Sequence, residues 1–204
     1  MGLPTPHPGA TGVSTHVWFL FFSVLGAVYA PFMLTTLHRS PLALGVTLAL
    51  AGVGGLAGAS ASERVAARVG LFRTMAGARL LEAGGITVVA LAAIAPGPAL
   101  ALLGVGQLLV GLGLGLEGPV DMAYRQGVTP DRLQGRMNTT MRSANRAVIV
   151  VGAPLGGLLA DRAGSGVALA VSASGVALTA VLLSRTGFRT ARLDEAPPTE
   201  TAPR

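Results

Sequence analysis

The chain has no cysteine and no lysine: all 15 of its basic residues are arginine. Without cysteine there are no disulfides, no thiolate nucleophile and no cysteine-ligated metal. Without lysine there is no GxxxxGK[ST] phosphate loop. Histidine is nearly absent too. His7, His16 and His38 lie outside the apolar runs and form no ligand pair. An intramembrane serine protease would need a histidine base within a span, and none is there. No enzyme activity, cofactor or metal is expected, while proton coupling stays open.

Charge is scarce as well. Charged residues make up 12% of the 204 residues, against 51% hydrophobic, and the mean hydropathy is +0.63. A soluble domain carries about a quarter charged residues, so this chain cannot build a water-facing surface. Its 29 glycines agree, because glycine is commoner in membrane helices than in soluble ones. The net charge of +6 reflects arginines placed for topology rather than as a phosphate-binding stripe, so no nucleic-acid partner is expected. The lipid bilayer is the expected solvent.

A bilayer core about 30 Å thick takes about 20 apolar residues in a helix. Six runs meet that need, at residues 17–37, 41–61, 74–95, 99–120, 138–160 and 165–184. The fifth is the least regular, since its uncharged part, residues 147–160, is short, and spanning requires it to take in Arg142, Asn145 and Arg146. The expected fold is an all-α membrane protein, a six-transmembrane-helix bundle over residues 17–187. A disordered tail over residues 1–16 and a polar, proline-rich tail over 188–204 are expected to flank it.

Orientation follows from the arginines. Thirteen of the 15 fall on the side of the second and fourth connections and the C-terminal tail; only Arg39 and Arg162 fall opposite. That assigns both termini to the cytoplasm. Trp18, Phe72, Tyr124 and Phe188 sit at the same ends, as interfacial anchors would.

Few residues within the spans carry chemistry. Gly54 with Gly58, and Gly111 with Gly115, are small-xxx-small pairs that allow close helix approach, whether for sliding or for static packing. Gln107, Asn145 and Tyr29 are candidates to line a substrate cavity. Glu117 and Asp121 share a helix face, and a count from Ala99 sets Glu117 roughly 27 Å along, near the cytoplasmic surface. Arg142 and Arg146 are the expected partners of these two acids in a cytoplasmic gate. Asn138, Arg142 and Asn145 recur on one face of the fifth span, continued by Gly152 and Gly156, so that face is expected against protein or water. Pro154, Gly156 and Gly157 would permit a bend.

The stretch Tyr124–Ala160 resembles the junction of the tenth and eleventh helices of major facilitator superfamily transporters, through Arg125-Gln126, Pro130-Asp131-Arg132, Gly135-Arg136, Asn138 and Pro154-Leu155-Gly156. It is most similar to an actinobacterial-type branch containing drug and siderophore exporters. Residues 55–73, with Arg68, Gly70 and Arg73, look like the family's basic loop between helices eight and nine. The resemblance implies that the six spans correspond to helices seven to twelve, and that the loop motifs stabilise and gate the cytoplasmic face. It further implies half of a secondary transporter in a bacterial plasma membrane, moving an unidentified small molecule, most simply by efflux. Such a half would work with a complementary N-terminal half or as a homodimer. A non-transporting remnant or accessory subunit is the alternative.

Overall fold

In a computed structural model, which describes residues 8–185, the chain is helical almost throughout. Six α-helices follow one another: α1 (Pro8–Pro31), α2 (Pro41–Val69), α3 (Leu71–Leu91), α4 (Ala99–Val128), α5 (Asp131–Ala163) and α6 (Ser165–Arg185). A π-helical turn, Phe32–Thr36, closes α1. All six are long and apolar enough to cross a membrane, and no strand occurs among the described residues. The six-span expectation is met.

Several helix ends fall elsewhere than hydropathy alone sets them. The expected N-terminal tail is helical from Pro8 onward. Residues 1–7 and 186–204, including the expected C-terminal tail with Phe188, lie outside the described residues. At the end carrying the α2–α3 and α4–α5 connections, α2 reaches Val69 and α4 reaches Val128, while α5 starts at Asp131. These extensions are polar, so the hydropathy window that finds a membrane core stops short of them. This is called the arginine-rich end below, for Arg64, Arg68, Arg73, Arg125, Arg132 and Arg136.

Local chemistry explains the helix limits. The Ser40 hydroxyl accepts from the Ala43 N–H at 3.2 Å and Pro41 follows it, so α2 begins on a side-chain cap with proline in its first turn. Thr129 is extended ahead of Pro130, the conformation that proline imposes on its predecessor, and this separates α4 from α5. Between α2 and α3, and again between α5 and α6, a single glycine makes the turn. Gly70 has φ 87° and Gly164 has φ 91°, a region closed to side chains with a Cβ.

That recurrence belongs to a larger pattern. The main packing pairs are α2 with α4, α3 with α4, α3 with α6, α1 with α5 and α1 with α6, with lesser contact of α2 with α3 and α5 with α6. Exchanging α1 with α4, α2 with α5 and α3 with α6 maps this set onto itself. The bundle is therefore two three-helix repeats. Because three successive crossings separate α1 from α4, the second repeat runs inverted with respect to the first.

Glycine sets the closest contacts in both repeats. A Cβ on Gly54 would collide with Leu108 O, on Gly58 with Leu112 O, on Gly111 with Ala51 O and on Gly115 with Gly55 O, so α2 and α4 meet backbone to backbone. In the equivalent α5–α1 contact, Gly152 faces Ser23 and Leu20, and Gly156 faces Val24. The larger apolar cluster lies in the half of the bundle away from the arginine-rich end, where Phe32, Met33, Ile86, Val89 and Leu103 are wholly buried. A smaller one of Leu71, Met75, Val120, Tyr124 and Leu183 packs near the arginine-rich end.

Candidate functional site

Charge inside the bundle is concentrated where α3 meets α4. Arg79 of α3 is 1% exposed, and its Nε and Nη2 donate to Glu117 Oε1 of α4 at 2.9 and 2.8 Å. Its Nη1 donates to the Ser14 hydroxyl of α1. One helical turn along α3, Glu82 is wholly buried and accepts from Trp18 Nε1 of α1 at 2.7 Å through Oε2. The other oxygen of each acid, Glu82 Oε1 and Glu117 Oε2, is buried without a hydrogen-bond partner. Two buried carboxyl groups thus have one guanidinium near them, and only Glu117 is bonded to it. Ionised together, they leave one excess negative charge in a low-dielectric interior, which is costly unless a proton or another cation compensates it.

Beside this cluster lies a cavity of about 250 Å³. Its wall comes from Trp18 of α1, Glu82 of α3, Glu117 and Asp121 of α4, and Asn138 and Arg142 of α5, among others. The two helices that open the repeats, α1 and α4, therefore flank it, and it lies toward the arginine-rich end. Trp18 stacks on Phe22 with ring centres 4.6 Å apart and meets Phe19 edge to face at 4.8 Å, which holds the indole in place.

The expected gate residues are brought together only in part. Glu117 and Asp121 do share a face and line the cavity, but their ion-pair partners are not those expected. Glu117 pairs with Arg79, and Asp121 pairs with Arg125 one turn further along α4. Arg142 is exposed at the cavity wall and Arg146 is exposed away from it; neither forms an ion pair among the described residues. The reason is geometric. α4 continues eleven residues past Glu117, roughly 16 Å of helix, so Glu117 lies level with the interior of α3 and not at the end of its own helix.

The cavity candidates separate. Asn145 lines the cavity and accepts a 2.8 Å hydrogen bond from His16 Nδ1 across the α1–α5 contact. His16, read from sequence as lying outside the spans, is thus part of α1. Tyr29 and Gln107 lie together in the opposite half, 4% and 5% exposed. The Tyr29 hydroxyl donates to Thr47 Oγ1 at 2.8 Å, which ties α1 to α2. Both are core hydrogen-bonding groups and neither lines this cavity.

The loop-motif residues surround the arginine-rich end. Arg68, Arg73, Gln126, Pro130, Asp131, Gly135 and Arg136 are exposed, and Gly70 forms the α2–α3 turn. Gln134 Nε2 donates to Asp131 Oδ1 at 2.9 Å, a bond within the first turn of α5. On the proposed bend, α5 runs as one helix through Pro154; Gly156 packs on Val24, whereas Gly157 faces open space.

Sequence reasoning passed over Arg79, Glu82 and Trp18 as site residues. In the sequence alone, Arg79 reads as one of the topology-setting arginines and Trp18 as an interfacial anchor. A usable signal was there: Arg79 and Glu82 are the only charged residues inside the third apolar run, and Glu82 lies eleven residues into α3, roughly 16 Å along it.

The sequence profile of the Major Facilitator Superfamily matches residues 12–203. The chain belongs to the Major Facilitator Superfamily. Its members are membrane transporters, and an inverted three-plus-three repeat is the architecture nested within each six-helix half of such proteins. The packing symmetry of α1–α3 with α4–α6 is consistent with such a repeat. Comparison with curated proteins finds no match. Comparison with solved structures finds none either.

Proposed function

We propose that this superfamily member is one six-helix half, corresponding to the C-terminal half, of a secondary active transporter. It exports a small molecule across a bacterial plasma membrane by alternating access, working with a complementary six-helix half or with a second copy of itself. Its arginine-rich end faces the cytoplasm, as the thirteen-to-two distribution of arginines favours.

The observation that carries this reading is the pairing of a cavity between α1 and α4 with two incompletely compensated buried acids in its wall. A second bundle laid against that face would close the cavity into a central site, where transporter sites lie. The sparse burial of α2 and α5, at 17% and 11% of their spanning windows, supports this, because it leaves both helices with surface that a second bundle could cover.

Glu82 and Glu117 then serve as the coupling groups. A proton on Glu82 removes the excess charge while Arg79 holds Glu117, and a proton on Glu117 leaves the Arg79 charge to offset Glu82. The test is discharge of a proton gradient in energised vesicles, followed with a pH-sensitive dye while a panel of small molecules is added. A solute-dependent proton flux in the wild type that Glu82→Gln abolishes is expected. An equal flux in both would contradict coupling through this cluster.

A further inference from the structure

We infer that the cavity binds a small organic ammonium ion, one carrying N–H donors beside an apolar body. This rests on the transport reading and names the substrate class.

Hydrogen-bonding capacity comes first. The free polar atoms of the two buried acids, Glu82 Oε1 and Glu117 Oε2, are acceptors. The donors of Arg79 are committed, to Glu117 and Ser14, and Arg125 Nε and Nη2 are held by Asp121. An anion would meet unpaired carboxylate oxygens at the buried end and find cationic donors only in Arg142, exposed at the wall, and in the remaining Nη1 of Arg125, whose charge is already paired with Asp121. A ligand with N–H groups satisfies the buried acceptors directly, and bonds to charged groups are the stronger kind.

Charge comes second. Among the buried groups, Glu82 and Glu117 against Arg79 leave one negative charge and the Asp121–Arg125 pair cancels. Arg142 adds its positive charge only at the exposed wall, where water and salt screen it, so a single positive charge is the complement at the buried acids. The rest of the wall comes third. Trp18, Phe19, Leu114 and Met141 offer an apolar surface with aromatic faces that attract a cation. Size comes last: about 250 Å³ is below the range of roughly 300–1,000 Å³ usual for drug-sized ligands. The ligand is a small amine rather than a bulky drug.

Because ammonium and proton compete for the same two carboxylates, one displaces the other. That exchange provides coupled export: one ammonium leaves as one proton enters, and charge in the bundle stays balanced at both ends of the cycle.

The experiment uses Trp18, the sole tryptophan of the chain, whose indole both lines the cavity and bonds Glu82. The purified chain in detergent is titrated with phenethylammonium, its quaternary trimethylammonium analogue and phenylacetate, with Trp18 emission followed and calorimetry as a second readout. Phenethylammonium is expected to bind saturably, about tenfold or more tighter than either of the others. Glu82→Gln and Glu117→Gln are each expected to weaken it about tenfold, while Asp161→Asn, on the surface, leaves it unchanged. Circular dichroism checks that each variant is folded, and either glutamine variant suffices alone. Equal binding of phenylacetate or of the quaternary analogue, or indifference to both glutamine variants, would overturn the assignment. Absence of binding beside an intact solute-driven proton flux removes the ammonium and leaves the transporter; binding without flux removes the transporter.

Discussion

Arg79 and Glu117 are joined by two N–H bonds onto a single carboxylate oxygen, at 2.9 and 2.8 Å, across the α3–α4 contact. That leaves the other Glu117 oxygen without a partner and puts a second acid, Glu82, one turn away on the same helix as the arginine. The Asp121–Arg125 pair on α4 uses both carboxylate oxygens. The Arg79–Glu117 arrangement holds one acceptor back, and the proposed chemistry follows from it.

Removing the arginine should be far worse than removing the pair. Arg79→Gln leaves two buried acids with no guanidinium and should destabilise the bundle by about 3–5 kcal/mol, the usual range for breaking a buried ion pair. Arg79→Gln with Glu117→Gln should recover much of that loss. Arg125→Gln, which breaks the half-buried pair within α4, should cost no more than about 1 kcal/mol. Melting temperatures in one detergent would rank the three.

Glycines that look alike in sequence should differ sharply on substitution. Gly58→Val and Gly111→Val push a side chain into the partner backbone and should cost about 1–3 kcal/mol or prevent assembly. Gly157→Ala and Gly118→Ala meet no neighbour and should be tolerated. Yield of monodisperse protein and melting temperature read both outcomes.

The inverted repeat makes a paired prediction. Gly70→Ala and Gly164→Ala each force a side chain into a positive-φ region and should each cost about 1–3 kcal/mol. The two losses should be similar and, the sites being far apart, additive in the double variant. A large loss at one site with none at the other would argue against equivalent turns.

Topology can be read without a background signal, since the chain has no cysteine of its own. Ala67→Cys and Gly127→Cys should react with an impermeant maleimide only from the cytoplasmic side, and Gly97→Cys only from the other. Labelling of all three from one side would contradict the alternating crossings.

Much of the fold was legible because membrane helices announce themselves by length and hydropathy, and turns such as Ser40-Pro41 and Gly70 by local chemistry. The polar extensions of α2, α4 and α5 were not, because nothing in a hydropathy window separates a helix leaving the bilayer from a loop. The site was legible by residue type and not by partner. Glu117 was singled out, yet assigned to Arg142 and Arg146, because sequence gives depth along one helix and not the register between two. Arg79 was hidden by its own charge: in a tally of arginines, a buried partner and a topology signal look the same. Glu82 and Trp18 come together only when α1 and α3, both packed on α6, are brought within side-chain reach, a relationship with no local trace.

The central claim, that the cavity beside Arg79, Glu82 and Glu117 alternates its exposure, is tested most directly by one cysteine at Asn138 in its wall. Its labelling rate by a water-soluble maleimide would be measured in energised and de-energised vesicles containing the chain with its partner bundle. The account predicts fast labelling from the cytoplasmic side at rest, slowed several-fold by the proton gradient, and insensitive to that gradient when Glu82→Gln is present. A rate that the gradient never changes in the wild type would contradict it.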